Sequence, residues 1–191
     1  NRYPEANKSI KDNIFKGQLT LTYLGHGGPL GWAQERILTV PEIQAWTNIN
    51  SLTVMVTATC SFAAYDDPSV VSPAEYAMLN PKGGAIALMS TTRAVYTNSN
   101  KLLTDGVHDL MYKKINGKAP TLGYILAEGK NKYQGEFFRV NSRKFALLGD
   151  PSLAIAMPKH NIYTSKVNGK DATSITDTIN ALEKVTIEGF V

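Results

Sequence analysis

The 191-residue sequence holds a single cysteine, Cys60. One thiol excludes an internal disulfide and says little about redox compartment. One Cys and three scattered His (His26, His108, His160) also cannot supply the Cys-x-x-Cys or paired-His spacing of a structural zinc site. No cofactor is expected. Apolar runs stay far short of the roughly 18 residues that suggest a membrane span. No basic n-region and apolar core open the chain, and residue 1 is Asn rather than Met. The expectation is a segment excised from a longer protein, with its targeting signal outside the segment. Excess charge of one sign is small as well, at +4. Between Lys101 and Lys144 stand nine basic and four acidic residues, mostly Lys and dispersed. Without interleaved Arg and aromatic residues they read as a solvated helical face, not a nucleic-acid surface.

Two enzyme signatures are missing. His26-Gly27-Gly28 has the form of a lipase oxyanion loop, but no Gly-x-Ser-x-Gly follows. Gly25 to Gly31 is Gly-rich, yet the dinucleotide register Gly-x-Gly-x-x-Gly is broken and Pro29 occupies the helix start.

What is present is a pair of buried strands. Leu52 to Thr59 runs through eight β-branched, apolar or small residues and ends on Cys60. Such a run fits a strand covered on both faces, which belongs to a parallel sheet. Leu19 to Leu24 is of the same type and ends on Gly25-His26-Gly27-Gly28. Open α/β sheets place their chemistry beyond the carboxyl ends of strands. Taken alone, a Cys at a strand end reads as a small buried hydrophobe. Delivered to one edge together, a thiol and an imidazole suit acyl transfer. The thiolate attacks a peptide carbonyl and the imidazole protonates the departing amine. The N–H groups of Gly27 and Cys60 are the candidate oxyanion donors.

Alternation of helices and strands over residues 1–158 predicts an α/β fold with a mostly parallel, helix-covered sheet. A helix is expected over 3–16 and a loop over 27–36. Capping boxes at Thr39–Glu42 and Ser72–Glu75 announce two short helices. A third buried strand, Ala85–Ser90, leads into Thr91, Thr92 and Arg93. These three are candidate pocket residues, as are Trp32 and Glu35 in the loop after His26; for Arg93 a paired surface position fits equally. Asp66 and Asp67 read as loop formers and Glu75 as a cap. His108 within a helix and His160 in a linker are not site candidates. Amphipathic helices follow from Leu102 and from near Pro120. Residues 130–141 read as a polar excursion, and 145–148 and 152–157 as strands around a tight turn. Pro158 marks a boundary. Residues 159–191, with the Asn168-Gly169 turn signal, read as a linker and the first strands of a truncated all-β module.

Six blocks then stand in one order: Tyr23-Leu-Gly-His-Gly-Gly28, Trp32-Ala-Gln-Glu-Arg36, Thr57-Ala-Thr-Cys60, Asp66-Asp-Pro68, Ser90-Thr-Thr-Arg93 and Leu147-Leu-Gly-Asp-Pro151. From about residue 18 to 158 the chain resembles the gingipain family of cysteine peptidases, and within it the type IX secretion sortases of Bacteroidota. The resemblance implies a caspase-like three-layer α/β/α fold, a His26–Cys60 dyad and Gly27 at the oxyanion site. It implies an outer-membrane protein at the cell surface that removes the C-terminal signal domain of secreted cargo. The new C-terminus would pass to anionic lipopolysaccharide, with other type IX components as partners. It also implies an immunoglobulin-like module after the catalytic part. Two departures stand out. Thr57-Ala-Thr59 replaces the acidic or amide residue often found before such a Cys. Only Glu5 and Asp12 precede His26, so the His-orienting carboxylate is expected upstream of the segment.

Overall fold

The computed structural model describes residues 3–157, 160–173 and 178–191. The chain divides into two units, Asn1–Ala156 and Met157–Val191.

In the first unit, helix α1 (Pro4–Lys16) starts on Pro4 and stops at Gly17, whose φ of 88° suits glycine. Strand β1 (Thr20–Leu24) follows. Residues 27–36, expected as a loop, instead belong to a small antiparallel sheet of β2 (Gly27–Gly28), β3 (Gly31–Trp32) and β4 (Leu38–Thr39). Strands of two residues leave no periodicity to read, which is why the sequence hides them. Helix α2 (Val40–Gln44) carries the expected capping box, with Glu42 accepting from the Thr39 N–H at 2.7 Å. Strand β5 (Thr53–Ala58) is buried at every position, as a strand covered on both faces must be.

Ser72 and Glu75 cap α3 (Pro73–Leu79), and β6 (Ala85–Thr91) follows. Helices α4 (Thr97–Met111), α5 (Leu122–Asn131) and α6 (Glu136–Ser142) precede β7 (Phe145–Leu148). The last of these helices falls almost wholly within 130–141, expected as a polar excursion. Phe138 anchors it, buried with Phe145, Leu103 and Ala58. The strand expected over 152–157 is absent apart from one bridge, Thr121 to Ala154. The carbonyls of Pro151 and Leu153 accept from the Gly123 and Leu122 N–H groups at 2.9 and 2.8 Å. They satisfy the first turn of α5 rather than a sheet ladder.

The main sheet runs β1-β5-β6-β7, with β1, β5 and β6 parallel and β7 antiparallel to β6. On one face Ile14, Ile43, Ala74 and Ala77 of α1, α2 and α3 pack with Met55 and Leu88. On the other, Leu103 and Phe138 of α4 and α6 cover Ala58. The result is three layers, α/β/α.

In the second unit, β8 (Tyr163–Val167) and β9 (Lys170–Asp171) form a hairpin. Its turn residues Asn168 and Gly169 have φ of 50° and 78°, as the sequence signal requires. Strand β10 (Ile187–Phe190) pairs antiparallel with β8. The expected boundary at Pro158 lies outside the described residues.

Candidate active site

The register of β1 on β5 decides where the two candidate residues emerge. Leu24 stands beside Ala58, and the Gly25 N–H donates to the Ala58 carbonyl at 3.4 Å. His26 and Cys60 each lie two residues further on, leaving the same carboxyl edge of neighbouring parallel strands. The turn after β1 then closes on the end of β5. A Cβ added to Gly27 would lie 2.5 Å from the Thr59 hydroxyl oxygen. Gly27 therefore sits directly against the residue before Cys60, and glycine is what permits that approach.

The His26 backbone is held from two sides. Its carbonyl accepts from the Tyr23 hydroxyl at 2.7 Å and from the Ala33 N–H at 2.7 Å. The side chain is exposed, and among the described residues none hydrogen-bonds the imidazole. Of the two acids that precede it, Asp12 is paired with Lys8 on α1.

Cys60 is half-buried. Its sulfur accepts from the Val95 N–H at 3.5 Å and faces the Val95 carbonyl at 3.8 Å. Ser61, next in the chain, takes a left-handed φ of 49°, a conformation that costs energy for a residue with a side chain. Hydrogen bonds hold this turn: the Ser61 N–H donates to Arg93 O at 3.2 Å and the Ala63 N–H to Thr91 O at 2.8 Å. The buried Thr91 hydroxyl also donates to the Thr59 carbonyl.

The candidate pocket residues separate into distinct environments. Trp32 is 1% exposed, stacked on Tyr23 with ring centres 4.4 Å apart and tilted against Phe62 at 5.7 Å. It ties β1, β3 and the loop after Cys60 into one platform. Burial, and after it the Glu35 carboxylate, push the Tyr23 phenol above its ordinary pKa. A cavity of about 440 Å³ opens on the His side, lined by His26, Gly27, Pro29, Leu30, Gln34 and Arg36 among others. A second, of about 370 Å³, opens on the Cys side between Pro29, Ser61, Asp66, Asp67, Thr92 and Arg93. Thr92 and Arg93 face that cavity, whereas Glu35 and Thr91 line neither.

Arg93 holds Asp66 through two bonds of 2.7 Å. That guanidinium draws the Asp66 carboxyl below the ordinary range, and the Ser69 hydroxyl does the same for Asp67. Asn100 and Asn141, both buried, join the braces around Cys60. Nothing in the sequence marked them: Asn100 shares α4 with Asn98, and Asn141 lies in a stretch that reads as a polar excursion. Among the described residues no three metal-ligating side chains gather.

A model of peptidase family C25 matches residues 1–156. The chain belongs to that family, the gingipains. Three solved structures are similar to it. One is the complex of Porphyromonas gingivalis RgpB pro- and mature domains, at 19% identity and a TM-score of 0.71 over 83% of this chain. Another is the Arg-specific cysteine proteinase gingipain R (RgpB), at 20% identity and 0.69 over 83%. The third, described only as a protease, shows 17% identity and 0.66 over 81%. These likenesses show the fold, the caspase-like arrangement of gingipains. The matches span 39%, 38% and 39% of those chains, so this chain corresponds to well under half of each. No curated protein sequence matches it.

Proposed function

We propose that this chain is the His/Cys part of a gingipain-type cysteine endopeptidase, with Cys60 as nucleophile and His26 as proton carrier. One observation carries the assignment: the β1–β5 register sends both residues off one edge, with Gly27 seated against Thr59. The Cys60 sulfur attacks a peptide carbonyl, and negative charge develops on its oxygen. The Gly27 and Cys60 N–H groups are the donors for that oxyanion. His26 passes a proton to the departing amine, leaving a thioester on Cys60. Water or an amine then releases the acyl group. The unmet imidazole of His26 favours an orienting carboxylate supplied from outside these residues.

The finer reading is a PorU-like sortase of the type IX secretion system, acting at the cell surface in the outer membrane. Its substrates are cargo proteins with C-terminal signal domains, its acceptor is anionic lipopolysaccharide, and its partners are other type IX components. The six ordered sequence blocks support it. Residues 159–191 are on this reading the start of an immunoglobulin-like module. The runner-up is a plain secreted endopeptidase, favoured by neighbours that are themselves named as proteinases.

The test is cargo maturation by the full chain, its Cys60→Ser and its His26→Ala variants, with and without an amine acceptor. A sortase releases the signal domain and gains acceptor mass on the new C-terminus. Hydrolysis with no acceptor adduct would select the plain peptidase. Unimpaired maturation by Cys60→Ser would defeat both and leave a catalytically silent scaffold.

A further inference from the structure

The Cys60 sulfur has a hydrogen-bond donor that the dyad alone does not require. We propose that the Val95 N–H steadies the Cys60 thiolate, and that the buried Asn141–Asn100 pair positions that N–H. The proposal rests on Cys60 acting as the nucleophile.

Val95 lies in the segment between β6 and α4, and that segment is fixed on both sides of it. Before it, the Thr92 N–H donates to Lys144 O at 2.9 Å and the Lys144 ammonium to Ala94 O at 2.7 Å. After it, the Tyr96 N–H donates to Asn141 Oδ1 at 2.8 Å. Asn141 Nδ2 in turn donates to Asn100 Oδ1 at 3.0 Å, and Asn100 Nδ2 to the Ala58 carbonyl at 3.3 Å. The relay therefore starts two residues before Cys60 and ends one residue after the amide that meets its sulfur. Asn100 is 4% exposed and Asn141 is 1% exposed. Buried side-chain amides are costly unless hydrogen-bonded, and these two are bonded to each other and to backbone on either side of the nucleophile. Apolar residues of the same size would pack there without fixing any backbone group in place.

The chemistry follows from which partner survives ionisation. The Val95 carbonyl, at 3.8 Å, can accept only from the protonated thiol. When the proton leaves Sγ for the His26 imidazole, that contact is lost. The Val95 N–H at 3.5 Å remains and becomes a charge-assisted donor to the anion. The thiolate is the attacking species, so a donor fixed at the sulfur raises its share and aims it.

The decisive variant, in the full chain, replaces Val95 by its α-hydroxy analogue. The side chain stays, and an ester oxygen takes the place of the N–H. Iodoacetamide alkylation of Cys60 at pH 7 should slow about tenfold, the worth of one charge-assisted bond. The acid limb of kcat/KM should move to higher pH with KM unchanged. Asn141→Leu should change alkylation in the same direction but less, whereas Asn141→Asp, which keeps an acceptor for Tyr96, should retain more of the rate. Wild-type alkylation and an unmoved acid limb in the ester variant would overturn the role of Val95. If Cys60→Ser is inactive in that experiment, the nucleophile assignment stands and only this role falls. If Cys60→Ser still turns over, both fall.

Discussion

Gly27→Ala is the sharpest perturbation of the site, because its cost lies wholly in space. The backbone φ at Gly27 lies outside the left-handed region, so alanine meets no conformational objection there. The added Cβ would instead stand 2.5 Å from Thr59 Oγ1 and 2.8 Å from the Gly31 carbonyl oxygen, where ordinary contact begins at 3.4 Å. Thr59 cannot rotate out of the way, since its Cγ2 is already 3.3 Å from the same point and β-branched side chains are stiff. The His26 turn must move by nearly 1 Å relative to the end of β5. A displacement of that size costs on the order of a hundredfold in kcat/KM, about 2.7 kcal/mol of transition-state stabilisation. Overpacking should also cost about 1–3 kcal/mol in stability, lowering Tm by roughly 3–10 °C.

The assay pairs kcat/KM on a peptide substrate with thermal unfolding of the same preparations. Gly28→Ala is the control, since no atom lies within 4 Å of its added Cβ; it should remain close to wild type. Thr59→Ala in the Gly27→Ala background removes one of the two clashes and should restore part of the loss. Wild-type kcat/KM and Tm in Gly27→Ala, or equal damage in the two glycine variants, would refute the seating of His26 against β5.

Thr57 and Ser90 share a hydrogen bond between β5 and β6, and both are fully buried. Thr57→Val leaves the Ser90 hydroxyl unpaired and should cost about 1–3 kcal/mol in urea unfolding, most of it recovered in Thr57→Val with Ser90→Ala. His108, bonded to the Thr22 hydroxyl at 2.9 Å, has its pKa lowered from 6.5 by burial, which outweighs the attraction of Asp105 and Asp109. The unfolded chain therefore takes up this proton first. Stability should decline as pH falls through 6.5 and level off below the folded value, and His108→Gln should flatten that slope in pH-dependent denaturation. Asp66 is shifted in the same direction for a different reason: Arg93 holds its carboxyl low, so its contribution is complete above 3.8 and disappears as pH falls through the folded value. Arg93→Ala should raise the Asp66 midpoint in a carbon-detected NMR titration, and an unmoved midpoint would remove the pair as its cause.

The parts of the fold that were legible in the sequence are those fixed by local chemistry. The all-buried β5 follows from a run without Gly, Pro or charge, and the caps at Thr39 and Ser72 from side chains three residues apart. The Asn168-Gly169 turn is of the same kind. What stayed hidden depends on distant partners. Helix α6 exists because Phe138 finds Phe145 and Leu103, not because its own sequence is strongly amphipathic. Residues 152–157 resemble a strand, yet their neighbouring carbonyls are taken by the first turn of α5. The relay from Ala58 to Tyr96 joins residues 41 and 42 positions apart in the chain, beyond any spacing rule.

The candidate site follows the same division, and its two halves are braced unequally. That His26 and Cys60 share an edge could be read from strand type alone, because parallel neighbours deliver their carboxyl ends to one side. How each is held could not. Around Cys60, residues 58 to 63 are hydrogen-bonded to Thr91, Arg93, Val95 and Asn100. At His26 the backbone is fixed through Tyr23 and Ala33, and among the described residues none hydrogen-bonds the ring. The two proposed roles make different demands. A nucleophile must be aimed and stabilised before substrate arrives, and the main chain can do that. A proton carrier must present one ring nitrogen to the sulfur and later to the amine, so its tautomer and rotation have to be set by a partner on the other nitrogen. For the proposed nucleophile the described residues supply main-chain bonds of that kind, and for the proposed proton carrier none of them hydrogen-bonds the ring.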